Sequence, residues 1–292
     1  MVVGLLNLRQ AGSRHLRHFL QVQPAHHTLG DCKVPEAVGH KMRLSSGIDI
    51  RDRHDALEVL VKINDRLRHT LINLKVTDDE LNAINARLTK DKDKQALDFT
   101  NRYVRRVFNE GSFDAGGRFT GGWWQQVPRE YRKHIRIGEN ITVELDFKTL
   151  HPSILYMTGG LNPPEDSYDI NGWADEHRDL IKKAFNQILN AKPANRNKNL
   201  WLNFAPDLLN EDNHPGWGKL NKAEKAKRNQ EEFVRLTYRP YDELIADIVQ
   251  KHKPIEHHFF SQAWTWLQKD DSDMAEKIML RALEEDLMIL PV

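Results

Sequence analysis

The sequence has a single cysteine, Cys32, which excludes an intrachain disulfide and any cysteine-based zinc cluster. It has no apolar run of the ~18 residues that a membrane-spanning helix needs, and so no membrane partner is expected. It also lacks an excess of either charge, with 43 Lys and Arg against 42 Asp and Glu and a formal net charge of +1. Binding of nucleic acid then requires cations clustered locally, because the total charge supplies none of the attraction. Acidic residues are missing before Asp31, where Arg9, Arg14, Arg17 and several histidines stand. Such an opening suits a mitochondrial transit peptide, a basic disordered arm, or upstream sequence read from the wrong start codon. Residues 1–45 show no clear amphipathic period, which favours the last two.

What is present is organised around residues 141–156. Ile141, Val143, Leu145 and Phe147 alternate with Thr142, Glu144 and Asp146. Side chains alternate faces along a strand, so the spacing predicts one apolar face and one carboxylate face. The strand then breaks: Thr149 suits an N-cap, Pro152 a first helical turn, and Gly159-Gly160 a helix end. Asp146 is thereby expected at a strand tip, where a bound ion and its ligand can both reach it.

Upstream, Leu57, Leu60, Val61, Leu67 and Leu71 follow a helical period. Thr77 and Glu80 have the spacing of a capping box, opening a helix through Leu81, Ile84 and Leu88. A third helix is expected over about residues 95–108, with Arg102, Arg105 and Arg106 as a basic face that is either solvated or in contact with a nucleic-acid backbone. The glycine-tryptophan segment from Gly116 to Pro128 is expected to be irregular, with Trp123 and Trp124 packing inside. Strands near residues 133–137 and from Ile141 are expected to pair as a hairpin through Gly138-Glu139-Asn140. Downstream, Leu180, Ile181, Ala184, Phe185, Ile188 and Leu189 form an apolar stripe, with Arg178, Lys182, Asn186 and Asn190 four apart on the other side. The stretch from Pro193 to Lys225 reads as loop with short helices, and Tyr241, Leu244, Ile245, Ile248 and Val249 as a buried helix face. Residues 254–283 read as largely helical, with His257 and His258 as metal ligands or, in the absence of a partner set, as packing or solvated histidines, and residues 288–292 as a buried strand.

Residues 146–154 read Asp-Phe-Lys-Thr-Leu-His-Pro-Ser-Ile. This resembles the first catalytic motif of palm-type DNA polymerases, which is Asp-Phe-x-Ser-Leu-Tyr-Pro-Ser-Ile in the replicative family B enzymes and Asp-Tyr-Ser-Gln-Ile-Glu in family A. Gln126-Val127-Pro128 followed by Ile135-Arg136 is similar to the family A segment that lines the primer–template duplex. Arg178 to Lys182, and Lys183 to Asn186, have the spacings of the second motif. Gln268, with Asp271, Ser272 and Ala275, resembles the family A helix before the last catalytic motif. The likeness covers about residues 100–292 and points to the family A-like polymerases of phages and integrated mobile elements.

The resemblance implies an α+β fold: a polymerase-like palm with antiparallel strands and a helical fingers-like region over residues 111–292, preceded by a helical region over residues 46–110. It implies two magnesium ions, held by Asp146 and the carbonyl of Phe147. The triphosphate would fall to Arg178, Asn186 and Lys182 or Lys183, and both lysines stay open for that role. His151 would block a ribose 2′-hydroxyl. Arg118, Gln126, Arg136 and Gln268 would contact DNA. The implied partners are primer–template DNA and deoxynucleoside triphosphates, in the cytoplasm of a bacterial or phage-infected cell. In the family the second metal carboxylate follows the last buried strand, and the sequence stops at Val292, before that position. The expectation is therefore a polymerase fragment with little or no polymerisation. The alternatives are a non-catalytic nucleic-acid-binding protein on a palm scaffold, and a metal-dependent hydrolase using Asp146 and Glu144.

Overall fold

The computed structural model describes residues 2–7, 50–90, 95–109, 113–193, 208–211 and 213–292. In order, its main elements are β1 (Val2–Asn7), α1 (Ile50–His69), β2 (Ile72–Leu74), α2 (Asp78–Leu88), β3 (Arg105–Phe108), β4 (Gly116–Thr120), α3 (Arg129–Arg132), β5 (Ile135–Ile137), β6 (Asn140–Asp146), α4 (Leu150–Thr158), α5 (Arg178–Asn190), α6 (Lys222–Thr237), α7 (Tyr241–Lys251), α8 (Trp264–Glu284) and β7 (Ile289–Leu290). The class is α+β, with a five-stranded sheet ordered β2-β5-β6-β1-β7 and a separate β3-β4 ribbon. Among the described residues all strand pairs are antiparallel. Among the described residues no helix is long and apolar enough to cross a membrane.

The chain forms two compact units, one of residues 1–150 and 265–292, the other of residues 151–264. The boundary expected near residue 110 falls inside the first unit.

In the first unit the expected hairpin forms. Ile137 faces Asn140 and Arg136 faces Ile141, with Gly138 at φ +61 in the tight turn, a conformation glycine adopts without steric cost. The face alternation differs at the start of β6. Thr142 is buried and its hydroxyl donates to the Ile135 carbonyl at 3.0 Å, while Ile141 lies exposed. Val143, Leu145 and Phe147 pack against the core as expected. The capping box on α2 is present, with the Glu80 amide donating to Thr77 Oγ1 at 3.2 Å and the Thr77 amide to Glu80 at 2.8 Å. In α1, Leu60, Ile63 and Leu67 face inward, while Leu57 and Val61 face solvent.

Three expectations are corrected. Val2–Asn7 lie inside the stretch read as a disordered arm, yet they form a strand between β6 and β7. An apolar run that pairs with two strands there satisfies the backbone groups on both sides. Residues 8–49 lie outside the described residues. The third helix is absent: residues 105–108 are a strand whose partner is Gly116–Thr120, part of the segment read as irregular. Trp123 and Trp124 are fully buried, in keeping with their packing role, and the Trp124 indole donates to the Pro291 carbonyl at 2.8 Å.

In the second unit, the stripe on α5 is buried at Ile181, Ala184, Phe185, Ile188 and Leu189. It packs with α7 through Tyr241, Leu244 and Ile248. Phe185 meets Phe259 edge-on at 5.4 Å and Phe233 meets Tyr241 likewise at 5.4 Å.

Candidate carboxylate site on strand and helix

In the first unit, Asp146 ends β6, exposed, where the chain leaves the sheet. Phe147 follows with its side chain against the core, which anchors the strand end. Thr149, expected as a cap, stands at φ +55 immediately before α4. That conformation is costly for a β-branched residue, so the turn after Asp146 holds backbone strain.

The second carboxylate comes from α8. Leu267, Asp271, Ala275, Ile278 and Ala282 recur at helical spacing along its buried face. Asp271 therefore sits in an apolar stripe. It is completely buried, and among the described residues neither carboxylate oxygen has a hydrogen-bond partner. Burial pushes its carboxyl above the usual carboxylate range; Arg118 opposes that shift and the charge of Asp146 adds to it. Two buried oxygens without donors cost several kcal/mol in the ionised form unless a cation compensates them. Carboxylate oxygens are the ligands a hard divalent cation takes, so Asp271 with Asp146 is a candidate donor pair. Among the described residues no group of three or more His, Cys, Asp or Glu side chains is arranged to hold a metal. The other carboxylate on β6, Glu144, is held by Arg132 at 3.0 Å.

Around this pair, α8 fastens the β3-β4 ribbon. Arg106 is buried and donates to the Gly117 carbonyl at 2.8 Å, Asp273 at 2.7 Å and Glu276 at 2.5 Å. Lys269, also buried, pairs with Asp273. Burial raises the Glu276 carboxyl, and Arg106 opposes that shift. The basic face expected of Arg106 is thereby corrected, because its charge is spent inside the fold.

The other DNA-contact candidates of this unit are spread over four elements. Arg118 is exposed on β4. Gln126 is half-buried in a short 3-10 helix, where its neighbour Gln125 makes the bonds, accepting from the Gly121 amide and donating to the Phe119 carbonyl. Arg136 donates to the Lys133 and Ile135 carbonyls at 2.8 and 2.9 Å. Gln268 accepts weakly from Asn109 at 3.4 Å.

The nucleotide candidates lie in the second unit. Lys182 and Lys183 are exposed on α5, and Asn186 is half-buried beside them. Arg178 is engaged already: its Nε and Nη2 reach Asp166 at 3.1 and 3.2 Å, and its guanidinium lies over the Tyr168 ring at 5.2 Å. His151 occupies the first turn of α4, half-buried. His257 and His258 stack with ring centroids 4.0 Å apart. Sequence reasoning passed over His252, which is fully buried between Tyr156 Oη (3.1 Å) and the Ser167 carbonyl (2.8 Å). It also passed over Asp271 as a carboxylate in the site. The available signal was an acid on the apolar stripe of a helix.

No family model, no curated protein and no solved structure matches this chain.

Proposed function

We propose that this chain carries part of the nucleotidyl-transfer centre of a palm-type, template-directed DNA polymerase, with Asp146 as the cation-binding carboxylate that the motif places and Asp271, which the motif does not place, as a second carboxylate beside it. The observation that carries the reading is the buried, unpartnered carboxylate of Asp271 beside the Asp146 charge. A bound magnesium pair would supply Lewis acidity to the 3′-oxygen and to the leaving phosphate. The chain's own groups bind and orient. In the first unit, Arg118, Gln126, Arg136 and Gln268 meet the DNA; in the second unit, taken by itself, Lys182, Lys183 and Asn186 on α5 offer a triphosphate-binding face. His151 disfavours a ribose 2′-hydroxyl. The primer 3′-oxygen bonds to the α-phosphorus, the bond to pyrophosphate breaks, and the hydroxyl proton passes to solvent.

The test is Mn2+ titration of the wild type, Asp146→Asn and Asp271→Asn, followed by single-nucleotide extension of a DNA primer–template. The expected result is a wild-type site that either substitution removes, and at most weak incorporation, because the family's second metal carboxylate is not among these residues, with any incorporation requiring Asp146. Equal Mn2+ binding by all three proteins would sink the reading. Metal binding without incorporation would favour the second reading, a non-catalytic nucleic-acid-binding palm. One observation supports that second reading: Arg178, the first triphosphate candidate, is neutralised by Asp166.

A further inference from the structure

On the first unit, a groove of about 520 Å³ is lined by Asn64, Arg68, Arg102, Tyr103, Val104 and Arg105. Its floor is fixed: the Asn64 side chain donates to the Val104 carbonyl at 2.8 Å and accepts from the Val104 amide at 2.7 Å. The approach to it is fixed as well. Phe99 packs edge-on against Trp123 at 4.8 Å, and the Trp123 amide donates to the Asn101 carbonyl at 3.0 Å. The nearby Asp98 is occupied by Thr100, whose hydroxyl donates to it at 2.6 Å. Arg68, Arg102 and Arg105 pair with no carboxylate among the described residues. Tyr103 stands between the last two, half exposed at 50%.

Three unneutralised guanidinium groups around one rigid groove attract consecutive phosphates, and an exposed aromatic ring between them offers a face for a base. The same surface continues along the ribbon. Arg105 is an outward residue of β3, and Val107, the next outward residue, faces Arg118 across the pair. Arg118 is in turn one of the charges that act on Asp271.

We propose that this groove binds single-stranded DNA, with Arg68, Arg102 and Arg105 on the phosphates and Tyr103 stacked on a base. A duplex hides its base faces and leaves Tyr103 without a partner, so an unpaired strand is the occupant. This deepens the polymerase reading by assigning a path for its single-stranded partner, while the binding itself requires no metal.

The test is fluorescence anisotropy of the full chain with a labelled oligothymidylate in EDTA, over a salt series. Replacing all three arginines by Gln is expected to weaken binding and to lower the salt slope by about 2, since each neutralised phosphate on a single strand contributes roughly 0.7. Tyr103→Ala is expected to weaken binding about 5- to 150-fold, the range for loss of one stacked base, while affinity for an abasic strand of the same length stays unchanged. These side chains are at the surface, and circular dichroism verifies that the variants fold. Wild-type affinity and slope in the arginine variant would overturn the proposal. Equal affinity of duplex and single strand would overturn it too, as would an equal loss on the abasic strand in Tyr103→Ala. Metal-free strand binding that persists in Asp271→Asn separates this site from the cation site, so each inference fails on its own measurement.

Discussion

Asp271, buried on α8, lies close enough to Asp146 at the end of β6 for the charge on one to disfavour the charge on the other. A fold gains nothing from that placement. A buried carboxylate with no donor costs stability, and a like charge beside it adds to the cost. Arg118 offsets part of that cost, and a cation shared by the two groups would offset more, which is why the arrangement marks a candidate site.

Neutralising Asp271 is therefore expected to stabilise the apo protein. Its carboxyl is raised above the ordinary value of 3.8 in the fold. The unfolded chain thus loses that proton at lower pH than the folded one, and stability falls as pH rises through this window. Asp271→Asn removes the penalty. Its melting temperature should exceed that of the wild type at neutral pH, by the equivalent of about 1–3 kcal/mol, and the difference should shrink at acid pH. Millimolar Mg2+ should stabilise the wild type and leave the variant unmoved. A variant less stable than the wild type in EDTA would refute this account of Asp271.

Arg106 makes the opposite prediction. Its side chain is 3% exposed and holds Asp273 and Glu276. Arg106→Met leaves two half-buried carboxylates without their main cation, a change that typically costs about 3–5 kcal/mol. Arg106→Lys keeps the charge but loses the fork that reaches the Gly117 carbonyl and both acids together. Urea unfolding should rank the wild type above Arg106→Lys, and Arg106→Lys above Arg106→Met.

Arg106 also shows where the sequence stops being readable. Local signals were enough for the β5-β6 hairpin, where a two-residue turn lies between alternating strands. They sufficed for the α2 capping box and for the α5 stripe, whose spacing alone selects the buried face. Residues 95–108 failed because the inward residue of β3 is an arginine and the outward one is Val107. That inversion is stable only because α8 supplies two carboxylates far along the chain, and no local period reports them. The site divides in the same way. Asp146 was legible as a strand-tip carboxylate, whereas the role of Asp271 depends on which strand α8 packs beside.

His252 gives the second unit a pH dependence. The Ser167 carbonyl can only accept, so Nε2 carries the proton and Nδ1 accepts from Tyr156. Burial pushes this imidazole from 6.5 down to about 4, with the Ser167 bond opposing and Lys251 adding. The unfolded chain then binds a proton that the folded chain refuses. Stability from this group is complete above about 6.5 and is lost progressively down to about 4, by at most roughly 3 kcal/mol. The urea midpoint should fall across that window in the wild type and change less in His252→Gln. Parallel pH profiles would contradict the assignment.

Gly122 and Gly138 separate two reasons for a glycine. A Cβ at Gly122 would overlap the ring of Trp124. That ring cannot retreat without breaking its bond to the Pro291 carbonyl at 2.8 Å, and it is fully buried. Gly122→Ala should therefore cost about 1–3 kcal/mol as overpacking. Gly138 needs only its backbone conformation, φ +61, and the nearest atom to its missing Cβ is 3.9 Å away. Asn tolerates that region in a two-residue hairpin turn, so Gly138→Asn should change stability by about 1 kcal/mol or less. Thermal melts followed by tryptophan fluorescence should show a large drop for the first variant and a small one for the second. The reverse order would mean that the Trp124 pocket is looser than described.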